Sequence, residues 1–218
     1  MFLAIDHVLD AESVARARAL AHQARFVDGA RSAGWHAKLV KANEQADAAD
    51  PSTLALRSMV ETALRSHELV RLAARPRRFG PVLISRSREG HGYGSHVDDA
   101  LMGGIRSDLS FTLFLSDGFE GGELVIESTA GEQPVKLPPG SLVLYPSTTL
   151  HRVERVTAGE RLVAAGWIES YVRDPGQREL LFDLDTTRAS LFRESGKTAE
   201  FDLLSKVSAN LLRMWAET

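Results

Sequence analysis

No cysteine occurs among the 218 residues, so disulfides, thiolate zinc sites, iron–sulfur clusters and cysteine nucleophiles are excluded together. Any metal bound by this chain must take nitrogen and oxygen ligands. Excess charge is lacking too: 26 basic against 29 acidic residues leave a formal charge of −3, with no electrostatic footprint for nucleic acid and no polybasic signal for an anionic membrane. Arg75, Arg77 and Arg78 form only a short cluster, expected at a surface turn rather than at a phosphate site. No apolar run approaches membrane-spanning length, and Met1-Phe2-Leu3-Ala4-Ile5-Asp6-His7 has neither a basic start nor an apolar core long enough for a signal peptide. A cytoplasmic protein is expected, and its 44% apolar content suffices for one hydrophobic core.

Asp10 stands as an N-cap before Val14, Ala17, Ala21 and Ala24, which recur at helical spacing and predict a helix over about residues 11–27. Residues 28–50, with Trp35 as their only large apolar member, read as a long irregular connection. Asp50-Pro51 restarts the chain as N-cap and first helical residue, and Leu56, Val60, Ala63 and Val70 mark a buried stripe ending near Ala74.

From Pro81 to Tyr171 the texture becomes strand-like. Leu109, Phe111, Leu113 and Leu115 alternate with Asp108, Ser110 and Thr112, the pattern of a half-buried strand. Asp117-Gly118, Gly121-Gly122 and Pro138-Pro139-Gly140 supply turns, and residues 161–168 a further strand. Short strands without intervening helices predict a mainly β fold with flanking α-helices, its core a double-stranded β-helix, or jelly roll. After Asp174-Pro175 helical spacing returns over residues 177–192 and 198–215, the second helix carrying Phe201, Leu204, Val207, Leu211 and Met214 on one face. The expected division is an N-terminal helical scaffold over 1–79, a core over 80–175 and a helical extension over 176–218, forming one structural unit.

The polar residues that carry chemistry are few. On a strand, His96 and Asp98 would project from one face while Val97 packs behind. His151, far downstream, can complete a set of two imidazoles and one carboxylate, which holds one face of Fe(II) and leaves the opposite positions open. Arg161 begins an otherwise apolar strand, and its guanidinium fork suits a dicarboxylate. An internal ion pair with Glu123 or Glu154 is the alternative for Arg161, and a hydrogen-bonded surface histidine the alternative for His151.

The stretches Gly92-Tyr93-Gly94-Ser95-His96-Val97-Asp98, Asp108-Leu109-Ser110-Phe111-Thr112-Leu113, Glu120-Gly121-Gly122-Glu123-Leu124, Leu142-Val143-Leu144-Tyr145-Pro146, Leu150-His151-Arg152-Val153 and Gly159-Glu160-Arg161 resemble the bacterial PKHD-type hydroxylases. These are prolyl-hydroxylase-like Fe(II)- and 2-oxoglutarate-dependent dioxygenases, and the resemblance covers roughly residues 80–190. It implies that His96, Asp98 and His151 are the catalytic iron ligands and that Arg161 holds the distal carboxylate of 2-oxoglutarate. It further implies hydroxylation of a C–H bond by dioxygen with release of succinate and CO2, and ascorbate as the agent that rescues over-oxidised iron. Similar enzymes often place a tyrosine nine residues before the first ligand; here that position is Ser87, so Tyr145 or another hydroxyl is expected to assist Arg161.

The substrate, a small molecule or a peptidyl group, is not named by these residues. Loops such as 28–50 and 100–107 are expected to shape its pocket. Two other readings compete: a non-catalytic iron-binding or sensing jelly roll, and a zinc-dependent cupin-like enzyme. Retention of Arg161 argues against both, since neither needs an anchor for a dicarboxylate. The C-terminal stripe is expected to pack on the core and to contribute to a homodimer contact.

Overall fold

The computed structural model describes residues 1–32, 34 and 37–217, and Trp35 lies outside them. Two antiparallel sheets face one another, as expected for the jelly roll. The major sheet has eight strands. Its main path runs Leu3–Ile5, Leu142–Pro146, Leu109–Phe114, Arg161–Ser170, Leu83–Ser87, Glu44–Ala46 and Phe26–Asp28, with Pro76–Phe79 pairing the far end of Arg161–Ser170. The minor sheet orders Gly131–Val135, Leu124–Ser128, His151–Val153, Gly92–His96 and Lys41–Ala42.

Five helices, α1 (Ala11–Gln23), α2 (Pro51–Ser66), α3 (Glu68–Ala74), α4 (Pro175–Ser195) and α5 (Ala199–Trp215), flank the sheets. Asp10, Asp50, Asp174 and Thr198 each cap a helix by accepting backbone N–H bonds, which fills donors that the first turn leaves unpaired. The single helix expected over 51–74 breaks at His67 into α2 and α3, and α3 ends at Arg75 in a left-handed conformation before Pro76. The first helix stops at Gln23 rather than 27, because residues 26–28 join the major sheet.

One apolar cluster fills the space between the major sheet and α1–α3. It unites Val14, Ala17 and Ala21, Leu56, Val60 and Leu64, and Val70 with Leu109, Phe111, Leu113, Leu142, Leu144, Leu162 and Ile168. A second, smaller cluster lies between the sheets, formed by Phe114, Leu124, Ile126, Val135, Val143, Tyr145 and Val163. Successive strand residues point to opposite faces. Even positions of the strand from 161 therefore serve the helical core and odd positions the space between the sheets.

That geometry corrects the reading of residues 109–114 as half-buried. All six are buried, because the face carrying Ser110 and Thr112 looks into the space between the sheets rather than to solvent. The connection 28–50 is likewise not irregular throughout. Lys41–Ala42 pairs with the minor sheet and Glu44–Ala46 with the major one, so the segment expected as helical scaffold also supplies strands to both.

The arginine cluster is structural. Arg75 pairs with the buried carboxylate of Asp185 on α4, and Arg77 and Arg78 both reach Glu169. On α5 the inward face is displaced from the expected stripe. Ser208 is its buried residue and donates to Asp185 at 2.7 Å, whereas Val207 and Met214 are exposed.

Candidate metal and cosubstrate site

His96 is the last residue of its strand and His151 the first of its own, and the two stand opposite each other in the antiparallel register. Asp98 lies two residues beyond the strand end rather than on it, yet the chain turns its carboxylate back toward both rings. His96 Nε2 is 4.0 Å and His151 Nε2 3.8 Å from Asp98 Oδ1. The three ligand atoms all lie within 4.8 Å of one another, a spacing at which one ion can touch all three.

Backbone carbonyls set the direction of both imidazoles. His96 Nδ1 lies 2.8 Å from Gly94 O and His151 Nδ1 3.0 Å from Thr149 O, so a proton on each Nδ1 leaves the Nε2 lone pair toward the cluster. Burial, and then the neighbouring His151, lowers the pKa of His96 to about 4, which keeps the ring neutral as a ligand must be. Tyr93 stacks on His96 with centroids 3.6 Å apart, and Tyr145 meets His151 edge-on at 5.2 Å.

Asp98 is held from behind by residues that the sequence reading missed. Ser110 Oγ donates to Asp98 Oδ2 at 2.5 Å and is 2.8 Å from Ser147 Oγ, both serines being buried. One carboxylate oxygen is thereby occupied and the other left facing the histidines. The polar half of the 108–112 alternation was the available signal.

A cavity of about 110 Å³ is lined by all three residues of the cluster and also by Arg161 and Trp167. Arg161 and Ser87 are opposite each other in the sheet and both are buried. The guanidinium makes no ion pair with Glu123 or Glu154, and its Nε has no hydrogen-bond partner. Burial pulls its pKa down to about 10, with Tyr145 and Glu123 opposing only in part. Isolated buried cations are costly, and an orphaned guanidinium beside an N2O ligand set fits a dicarboxylate cosubstrate. Gly122, with φ of +67°, makes room for it: a Cβ there would come within 3.1 Å of Arg161 Cδ. The phenol of Tyr145 is pushed well above its usual range, first by burial and then by Asp98, while Thr112 and Arg161 oppose the shift. Arg152 is occupied outside the cavity by Glu132 and Glu154.

The fold and the family match together define a non-haem iron oxygenase. Residues 82–169 match the 2OG-Fe(II) oxygenase superfamily, and residues 175–217 match the PKHD-type hydroxylase C-terminal domain. Among solved structures, HygX of Streptomyces hygroscopicus with nickel and 2-oxoglutarate bound is similar with a TM-score of 0.57 and 14% identity, over 78% of this chain and 84% of that one. A Pseudomonas putida prolyl-4-hydroxylase is similar with a TM-score of 0.53 and 21% identity, over 78% and 92% of the respective chains; these two likenesses concern the fold.

The chain belongs to the PKHD-type hydroxylases. It is 54% identical to one from Acaryochloris marina and 53% to one from Picosynechococcus, in each case over 100% of both chains. It is an Fe(II)- and 2-oxoglutarate-dependent dioxygenase that hydroxylates its substrate.

Proposed function

We propose that His96, Asp98 and His151 hold the iron and that Arg161, assisted by Tyr145, receives the distal carboxylate of 2-oxoglutarate. The observation that carries this reading is the uncompensated, buried guanidinium opening into the same cavity as the three ligands. When bound, the iron and cosubstrate supply the oxidising chemistry, with dioxygen consumed and succinate and CO2 released. The chain's own part is positional. The carbonyls of Gly94 and Thr149 aim the imidazoles, Ser110 and Ser147 fix Asp98, and Val163 and Leu124 form apolar wall around the reacting space.

An unidentified small-molecule or peptidyl group binds in the cavity, whose lining includes Tyr93, Val97, Asp99 and Met102. Ascorbate is proposed as the reductant that returns oxidised iron to the ferrous state, and a reducing cytoplasm as the setting that supplies Fe(II) and 2-oxoglutarate. The exposed apolar residues of the C-terminal helices, Leu180, Phe192, Leu203, Val207 and Met214, support a homodimer, which sizing of the dilute and concentrated protein tests. No described helix is long and apolar enough to cross a membrane.

Anaerobic addition of Fe(II) and 2-oxoglutarate should produce a visible charge-transfer band. His96→Ala or Asp98→Ala should abolish it. Arg161→Ala should weaken the cosubstrate by roughly 2–5 kcal/mol while sparing iron affinity, and Arg161→Lys should restore only part, since an ammonium lacks the planar fork. Unchanged cosubstrate affinity in the alanine variant would move the anchor elsewhere.

A further inference from the structure

The segment 41–46 crosses from one sheet to the other over the cavity. Lys41 stands opposite Tyr93 in the minor sheet and Gln45 opposite Ser85 in the major one. Extended backbone alternates its faces, and Lys41, Asn43 and Gln45 all line the cavity, while Ala42, Glu44 and Ala46 do not. A Cβ at Gly94 would lie 2.8 Å from Cβ of Val40, so the glycine lets this crossing segment sit directly against the strand that carries His96.

Lys41 is half-buried, and its ammonium is poorly satisfied. It donates to Ser32 Oγ at 3.0 Å and lies 5.0 Å from the centroid of Tyr93, the ring that is itself stacked on His96. Among the described residues no carboxylate forms an ion pair with it. Asp98 and Asp28 act on it only from farther away, and Asp98 is committed to the metal cluster. Its protein partners are one hydroxyl acceptor, in a bond open to solvent, and one π-face. Desolvation outweighs both distant carboxylates and brings the Lys41 pKa down to about 8, the mark of a cation held without its counter-ion.

The cavity therefore carries two uncompensated cations. Arg161, deep in the barrel, matches the distal carboxylate of the cosubstrate, whose other carboxylate belongs at the metal. Lys41, less buried than Arg161 and in one column with Tyr93 and His96, has no claimant. We propose that Lys41 receives a carboxylate of the substrate, so that the substrate class is a small carboxylic acid or a chain-terminal carboxylate. The side-chain amides of Asn43 and Gln45 and the buried, unpartnered indole N–H of Trp167 line the rest of the space. With one ammonium, the Asp99 carboxylate and otherwise neutral hydrogen-bonding groups on this side, the lining suits at most one negative charge, whereas a phosphate dianion would call for further cations. This assignment rests on Arg161 being the cosubstrate anchor.

The test uses the anaerobic Fe(II)–2-oxoglutarate protein and a panel of N-acetyl-L-amino acids, their carboxamides and O-phosphoamino acid amides, read by perturbation of the visible band. At least one carboxylate should perturb the band and bind about tenfold tighter than its carboxamide, and Lys41→Met should remove that preference. Lys41→Arg should keep most of it, and the 2-oxoglutarate concentration needed for the band should be unchanged in both variants. The proposal is overturned if no carboxylate perturbs the band, if carboxamides or phosphates do so equally well, or if Lys41→Met raises the cosubstrate requirement. The last outcome would make Lys41 a cosubstrate contact, whereas an Arg161→Ala variant with normal cosubstrate affinity would instead remove the reading beneath the proposal.

Discussion

Of the three proposed ligands Asp98 has the most freedom to lose, because it sits beyond the strand end and could otherwise swing or chelate through both oxygens. Ser110 and Ser147 remove that freedom. Partners of this kind are worth about 10–100-fold in metal affinity. Ser110→Ala is accordingly expected to weaken Fe(II) or Co(II) binding by about tenfold in chelator competition, with Ser147→Ala weaker in effect because it acts through Ser110. Equal affinities in wild type and Ser110→Ala would show that the metal alone fixes the carboxylate.

At Lys41 the fold bears a cost that depends on pH. Its ordinary pKa of 10.5 applies to the unfolded chain, and burial brings the folded value to about 8 against the opposing pull of Asp98 and Asp28. Between those values the unfolded chain holds a proton that the folded chain lacks, so unfolding free energy rises with pH there. Below about pH 8 the full cost of the buried ammonium is present. Lys41→Met should thus raise the melting temperature of the ligand-free protein at pH 7, and the gain should vanish as the pH approaches 10.5. A variant equally stabilised at both ends of that range would point to packing rather than charge.

Among the elements, helix starts were the most legible in sequence because each is a local event. An acceptor side chain followed by a helical period was enough to place Asp10 and Asp50 at their caps. Asp50 does more than expected, since it accepts from Ser52 and Thr53 at the start of α2 and from the Arg25 backbone N–H across the chain. Asp50→Ala should cost about 1–2 kcal/mol in urea unfolding while leaving the visible band intact.

Strand faces were less legible, and for a physical reason. A period of two tells which residues share a face but not what the face meets. Ser110 and Thr112 alternate with leucine and phenylalanine as a solvent face would, yet they look inward at a polar cavity. The same blindness hid Lys41, Asn43 and Gln45. Two- and three-residue strands carry too little pattern to stand out from a loop, and their pairing here is decided by partners 40 to 52 positions away. His96, Asp98, His151 and Arg161 were legible because their chemistry, rather than their local pattern, distinguishes them.

For the whole molecule, α4 and α5 form a buttress that touches the core through few but well-satisfied contacts. Asp185 gathers Arg75, Arg188 and Ser208, while Glu217 returns to Arg106 and to the Tyr171 carbonyl. None of these groups belongs to the ligand cluster. Deleting residues 198–218 should lower the melting temperature and shift any dimer seen by sizing, while the soluble fraction still binds Fe(II). A folded truncation unable to bind iron would place the C-terminal helix in the active site.

The orphaned guanidinium of Arg161 reaches further than cosubstrate recognition. A core that encloses a charge without an ion-pair partner, and a sheet that sets two imidazoles side by side, should gain stability when cosubstrate and metal bind. Ligand present at a hundredfold over its dissociation constant adds about 2.7 kcal/mol to a fold. Scarcity of iron or of the five-carbon diacid would then be registered twice, at once as idle enzyme and later as faster loss of the protein to proteolysis. The protein's half-life in cells is then expected to shorten when either ligand is scarce, which pulse-chase under iron limitation checks.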